Sequence, residues 1–127
     1  MQNDLGGKVK IIDFKENPFT YLNKADVMIH TAKFEGLPNV LLEALSLKKY
    51  VISTNCPTGP SEILNKGKGG DLVKIGDYRN IANKLIRFSQ KKLIKKINFG
   101  YKMLNRFDFN KNQNKYLTLV KKFLYSK

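Results

Sequence analysis

Between Phe34 and Leu47 the chain reads FEGLPNVLLEALSL, a tight turn that opens at once into an apolar helix. Gly36 and Pro38 mark the turn. Proline suits the first turn of a helix, where its missing N–H is one of the donors without an intrahelical partner anyway. Val40, Leu41, Ala44, Leu45 and Leu47 then recur as one broad face, wide enough to be buried on a sheet. Just upstream, Val27-Met28-Ile29-His30 has the composition of a short strand. Strand, turn and helix in that order form the unit of an open α/β sheet. Ligands of such sheets bind outside the carboxyl ends of the strands, beside the helix N-termini that follow. Two acids stand in the unit, Glu35 in the turn and Glu43 eight positions on. A carboxylate in a buried helix is costly unless paired or hydrogen-bonded, so Glu43 calls for a reason. Spacing alone also fits two solvated glutamates.

The rest of the chain continues the alternation. Val9–Phe14 (VKIIDF) reads as a first strand and Pro18–Ala25 as a short helix carrying Phe19 and Leu22 inward. Val27–Thr31 is the second strand, Pro38–Lys48 the helix, and Val51–Thr54 the third strand. The second and third strands have the unbroken apolar look of parallel strands covered on both faces. Asn55–Leu64 (NCPTGPSEIL) is another strand-to-helix turn, built on Pro57, Gly59 and Pro60 and followed by Glu62. Glycine there lets backbone N–H groups approach a ligand closely, and a helix start favours anions. Gly67, Gly69 and Gly70 lead into a fourth strand, Asp71–Ile75. Gly76-Asp77 then caps a helix over Tyr78–Gln90 with Ile81, Leu85 and Phe88 on one face. In the tail, Leu93, Ile97, Tyr101 and Leu104 form one helical stripe and Leu117, Val120 and Leu124 another. Asp108–Asn114 is expected to separate them. Both stripes are expected to be core, with their lysines as a solvated face. The pattern predicts an α/β fold with a mostly parallel sheet, both special turns opening onto one rim.

Composition narrows the setting. The 127 residues suit a single domain, with residues 1–77 as the site-bearing core and 78–127 as basic C-terminal helices. No apolar run approaches the roughly 18 residues of a membrane span, and MQNDLGGKVK lacks the apolar region of a signal peptide. One cysteine, Cys56, fits a reducing compartment, and a single His and Cys argue against a Cys/His metal site. A cytoplasmic protein is expected, peripheral at the inner face of the membrane if its charge is used there. The net charge of +14 is concentrated late: 14 Lys/Arg against Asp108 alone in residues 78–127, and 10 against 9 acids before them. Such a segment suits a polyanionic partner, an anionic membrane surface ahead of nucleic acid. A coding bias toward lysine is the competing explanation.

The run KFEGLPNVLLEALSLKKYVISTNCPTGPSEIL, followed by GGDLVKIGD, resembles the C-terminal half of retaining glycosyltransferases of family 4, the group 1 class with the GT-B fold. Their pattern is E-G-x-P-x-x-x-x-E-A-x-A. Here it falls on Glu35, Gly36, Pro38, Glu43 and Ala44, with Ser46 at the last, small position. The resemblance extends to the approach NPFTYLNKADVMIHTAKFEG and to the Gly59–Glu62 and Gly70–Asp77 segments, nearly the whole chain. It implies a Rossmann-like parallel sheet with flanking helices, the donor-binding domain of GT-B, incomplete at its N-terminus and ending in basic helices. It implies a nucleotide-sugar donor, transfer with retention, and a setting in cell-envelope polysaccharide or glycolipid synthesis. Glu35 is then the catalytic residue by the sugar and distal phosphate, and Glu43 the acceptor of ribose hydroxyls. Gly36, Leu37, Pro38, Asn39 and Val40 line the donor, and Thr58, Gly59 and Glu62 form a secondary rim. Glu35 either stabilises an oxocarbenium-like centre or holds a sugar hydroxyl. No metal and no separate cofactor is implied.

The resemblance also shows what this chain lacks. Enzymes of the class are about three times as long and contain two domains. The acceptor domain and the Arg and Lys that grip the diphosphate fall outside the match, and Lys33, close to the motif, does not occupy that role in the family pattern. The expectation is a truncated or split glycosyltransferase, paired with a separate N-terminal acceptor domain and inactive in isolation. Two further readings stand beside it: a nucleotide-sugar-binding module, and a basic membrane- or nucleic-acid-associated protein that keeps the fold.

Overall fold

The computed structural model describes residues 7–125, the side chain of Gln90 excepted. Three short parallel strands make one sheet in the order β1 (Val27–His30), β2 (Tyr50–Thr54), β3 (Asp71–Val73). The fold is the expected α/β arrangement of parallel strands with flanking helices. Each connection carries a helix: α1 (Phe19–Leu22) precedes β1, α2 (Asn39–Ser46) joins β1 to β2, and α3 (Pro60–Ile63) joins β2 to β3. After β3 come α4 (Tyr78–Ile86), α5 (Gln90–Met103), a 3₁₀ turn (Leu104–Phe107) and α6 (Phe109–Tyr125).

β2 is the central strand and all five of its residues are buried. Alternation along it divides the core in two. Val51 faces Leu41, Ala44 and Leu45 of α2 together with Ile63 and Leu64, and Met28, Leu72, Leu104 and Phe107 close around them. Tyr50 and Ile52 face the other way, toward Val73 of β3 and Ile97 of α5, with Ile81, Phe88 and Leu93 alongside. Covering both faces is what a strand as apolar as this requires.

The first expected strand does not form. Val9–Phe14 carries no regular structure and its apolar side chains are exposed, Ile11 at 90% and Phe14 at 89%. Strand alternation would put Lys10 on one face and Asp13 on the other. Either face, if buried, would carry an unpaired charge, at a cost of several kcal/mol. β1 is consequently an edge strand with Ile29 exposed, so only β2 fits the doubly covered reading.

Other boundaries move. The first helix is limited to Phe19–Leu22, and Phe19 is exposed while Leu22 packs inward. The expected Tyr78–Gln90 helix stops at Ile86. Phe88 leaves it to stack on Tyr50, ring centroids 5.7 Å apart, and Gln90 belongs to the next helix. The break in the tail lies at Leu104–Asp108 rather than Asp108–Asn114, because Asp108 caps α6: its Oδ1 accepts the Lys111 N–H at 2.9 Å. The first tail stripe is largely core, with Ile97 buried. The second is not: Leu117, Val120 and Leu124 are all exposed, and α6 has no buried residue.

α5 crosses the loop before β3 at a glycine–glycine contact. A Cβ on Gly100 would stand 2.6 Å from the Gly69 carbonyl oxygen and 2.7 Å from Leu45 Cδ2. Alanine is worth about 1 kcal/mol over glycine in a helix interior, but here the backbone of another segment occupies the space. Gly100→Ala is expected to destabilise the fold by about 1–3 kcal/mol despite its better helix propensity. Urea unfolding would measure this, and a gain in stability would contradict the close approach.

Candidate active site

The carboxyl ends of β1 and β2 lead into the two special turns, and the two turns interlock. Thr54 Oγ1 donates to the Ala32 carbonyl at 2.5 Å, and Thr58 Oγ1 donates to the Glu35 carbonyl. Gly59, at φ 75° and ψ −73°, is pressed against the first turn. An ideal Cβ there would lie 2.4 Å from both Gly36 O and Pro38 Cδ. The structure thus brings Glu35, Gly36 and Pro38 together with Thr58 and Gly59. Pro38 precedes the first helical residue of α2, and Pro60 takes the first position of α3.

Glu35 is held from below. Its Oε1 lies 2.9 Å from His30 Nε2, and His30 Nδ1 lies 3.0 Å from Ser53 Oγ. His30 and Ser53 are buried, and the Glu35 side chain keeps 31% of its surface exposed. Ser53 has one hydroxyl proton and two acceptors, the Thr54 carbonyl at 3.0 Å and His30 Nδ1. Toward an ionised Glu35, which can only accept, Nε2–H is the donor, and this bond fixes one carboxylate oxygen and leaves the other open.

The start of α2 adds donors. Asn39 and Val40, its first residues, have N–H groups without intrahelical acceptors, while the Pro38 carbonyl takes the Leu41 N–H at 3.0 Å. Leu37, Asn39 and Val40 are exposed around this helix end. Glu43, one turn below Asn39 and Val40, is half-buried; its carbonyl accepts from Ser46 Oγ at 2.7 Å, while its carboxylate makes no hydrogen bond or ion pair among the described residues. Its carboxylate remains available to a ligand. Glu62 is exposed, and only its carbonyl is engaged, by Arg106 Nη2 at 2.9 Å. Its side chain is not tied to the rim.

A cavity of about 230 Å³ opens at the same ends of the strands, lined by Thr31, Lys33, Thr54, Gly76, Asp77 and Tyr78 among others. None of the motif residues lines it; Lys33 is the cation nearest the motif that does. A second cavity of equal volume lies at the opposite ends of the strands, by Tyr50, Asp71 and Lys84. Its one carboxylate is fully engaged by Tyr50, Lys84 and Lys96. The rim cavity is the one of the two that lies at the carboxyl ends of the strands, the side from which the Glu35 turn departs. The sequence reading missed His30 and Ser53. A lone histidine at the last position of a strand, five residues before the key acid, was the available signal.

The family model for group 1 glycosyl transferases matches residues 1–91. The chain belongs to this family. It is 44% identical over 61 residues to an uncharacterized glycosyltransferase of Methanocaldococcus jannaschii, covering 48% of this chain and 15% of that protein. It is 34% identical over 77 residues to the capsular polysaccharide biosynthesis glycosyltransferase CapM of Staphylococcus aureus, covering 61% and 20%. The crystal structure of a glycosyltransferase from Rickettsia africae superposes with a TM-score of 0.81 at 25% identity, covering 95% of this chain and 33% of that one. This glycosyl transferase chain therefore spans a fifth or less of these curated relatives and a third of the solved one. Its sheet and helices are a Rossmann-like portion of the GT-B architecture.

Proposed function

We propose that this chain is the nucleotide-sugar-binding portion of a retaining family 4 glycosyltransferase, working with a separate acceptor-binding domain in cell-envelope polysaccharide synthesis. The observation that carries the reading is the interlocked pair of turns. It sets Glu35, oriented by His30, beside the amino-terminal N–H groups of α2 at the carboxyl rim of a parallel sheet. CapM supports the polysaccharide setting.

In this reading the diphosphate of the donor lies against the N–H groups of Asn39 and Val40. These donors and the α2 dipole stabilise the charge that grows on the leaving diphosphate as the glycosidic bond breaks. Glu35 faces the sugar with its free oxygen, where a carboxylate lowers the energy of an oxocarbenium-like centre. Its hydrogen bond from His30 holds that orientation without substrate contact, which makes His30 a positioning residue. Glu43 accepts hydrogen bonds from the ribose hydroxyls. Lys33, on the rim cavity, is the available cation for the distal phosphate. The acceptor and the remaining walls of the cleft come from the other domain.

Amide NMR titration with UDP-, GDP- and ADP-sugars tests this. Shifts are expected at Gly36–Val40 and Thr58 with one nucleotide series, in the millimolar range, because a site at a domain interface loses enclosure when alone. Glu43→Ala is expected to weaken binding about tenfold, the value of a hydrogen bond to a charged group. Shifts confined to other regions, or none with any series, would reject the reading. Rapid sugar transfer by the 127-residue chain alone would reject the need for a second domain.

A further inference from the structure

The cavity at the opposite ends of the strands has no part in the proposed donor site. It opens beside Tyr50 and Asp71, the first residues of β2 and β3, and α4 with its C-cap supplies Asn80, Asn83, Lys84 and Arg87 to its wall. These four stand at i, i+3, i+4 and i+7, one face of the helix, and each side chain carries N–H donors. Ile81, one position along, packs into the core instead. Lys84 is anchored, its Nζ 2.8 Å from Asp71 Oδ2, while Lys96 takes the other oxygen. The side chains of Asn80, Asn83 and Arg87 make no hydrogen bond or ion pair among the described residues. Asp71 is the only acid lining the cavity, so Lys84, Lys96 and Arg87 against it leave a local balance of +2.

We propose that this cavity is a second ligand site that binds a compact phosphate dianion, either free phosphate or the head of a small phosphate ester, with Arg87 and Lys84 as its cations. Charge and donor type decide the class. Arg87 has five N–H donors, which suit the oxygens of a phosphate in pairs. Lys84 keeps two of its three donors after Asp71 takes one, and the amides of Asn80 and Asn83 add four more. A phosphate monoester carries close to two negative charges at pH 7, which matches the balance of the site. The cavity measures about 230 Å³, below the roughly 300 Å³ at which sites for drug-sized ligands begin, so the ligand is small. The site lies away from the carboxyl rim, and its assignment does not rest on the glycosyl-transfer reading.

Amide NMR titration of the chain with inorganic phosphate, glycerol 3-phosphate and, as the uncharged control, glycerol tests this. Saturable shifts are expected over Asn80–Arg87 with the two phosphates and none with glycerol. Tighter binding of glycerol 3-phosphate would make the ligand an ester, and tighter binding of inorganic phosphate the free ion. Arg87→Gln should weaken binding about tenfold or more, the value of hydrogen bonds between charged groups. Arg87 is exposed and engages nothing, so this variant should keep the thermal unfolding midpoint of the unliganded chain. Lys91→Gln removes the same charge from an exposed position outside the cavity and should change binding less than about twofold, since screening limits charges at a distance. Affinity should also fall between pH 7.5 and pH 5, as the phosphate loses its second charge near pH 6. Equal losses in Arg87→Gln and Lys91→Gln would reduce the effect to diffuse charge and overturn the proposal, as would an affinity unchanged at pH 5. Shifts confined to Gly36–Val40 would overturn it too and leave the donor reading standing.

Discussion

Gly59→Ala is expected to lose about 3–4 kcal/mol of stability, a large part of what a domain of this size has. Two costs add. Gly59 sits at φ 75° and ψ −73°, close to a γ-turn conformation that is strained for any residue with a Cβ. The new methyl would also lie 2.4 Å from Gly36 O and from Pro38 Cδ, neither of which can swing aside as a long side chain can. The turns would have to separate, taking with them the Thr58 bond to the Glu35 carbonyl. Donor binding is then expected to disappear even at temperatures where the sheet survives. Gly36→Ala is the matched control. A Cβ there meets nothing within 4 Å and its φ is not positive, so its effect should stay within about 0.5 kcal/mol. Thermal unfolding of both variants, with the NMR titration described above, checks the pair. Equal midpoints for Gly59→Ala and wild type would mean that the turns are not interlocked.

What could be read in the sequence follows from the range of each signal. The strand–turn–helix unit at Val27–Ser46 is local, with its apolar spacing and its Gly and Pro within twenty residues. It was legible. The meeting of the two special turns was legible in outline, because parallel strands place successive carboxyl ends on one side. The hydrogen bonds that lock them were not, since Thr58 and Glu35 stand 23 positions apart with no periodicity linking them. The bond from His30 to Glu35 spans only five positions, but His30 carried the pattern of a strand residue and concealed its ring. Val9–Phe14 shows the opposite failure. Its residue types favour a strand, yet the charges of Lys10 and Asp13 deny it a buried place, and composition alone does not weigh them by face. The α6 stripe has the spacing of a core helix. Spacing shows that a face is apolar but not what covers it.

Asp71 supplies the second large effect, on stability and on its pH dependence. It opens β3 and accepts hydrogen bonds from Tyr50 Oη at 2.5 Å, from Lys84 Nζ at 2.8 Å and from Lys96 Nζ. One carboxylate thereby ties α4 and α5 to the sheet. Burial by itself would raise its pKa, but the hydrogen bonds from Lys84, Lys96 and Tyr50, with the charge of Lys96, outweigh that and lower it to about 2. A depressed folded pKa means stability that is present above the unfolded value of about 3.9 and lost as pH falls through the folded one. The loss is therefore expected between about pH 4 and pH 2, and amounts to about 2 kcal/mol for a carboxylate 15% exposed. Asp71→Asn should cost about that much at pH 7 and flatten the stability profile in that window. Tyr50 moves the other way. Burial first, then its hydrogen bond to Asp71 and the charge of Asp71, push its phenol well above the usual tyrosine range. A raised folded pKa gives stability that is complete below the unfolded value of about 10 and declines as pH rises beyond it. Tyr50→Phe should remove that alkaline decline while costing about 1 kcal/mol at neutral pH for the lost hydrogen bond. Urea denaturation from pH 2 to pH 11 on the two variants separates the windows. An Asp71→Asn profile parallel to wild type between pH 2 and pH 4 would show that the carboxylate is not held by the two lysines.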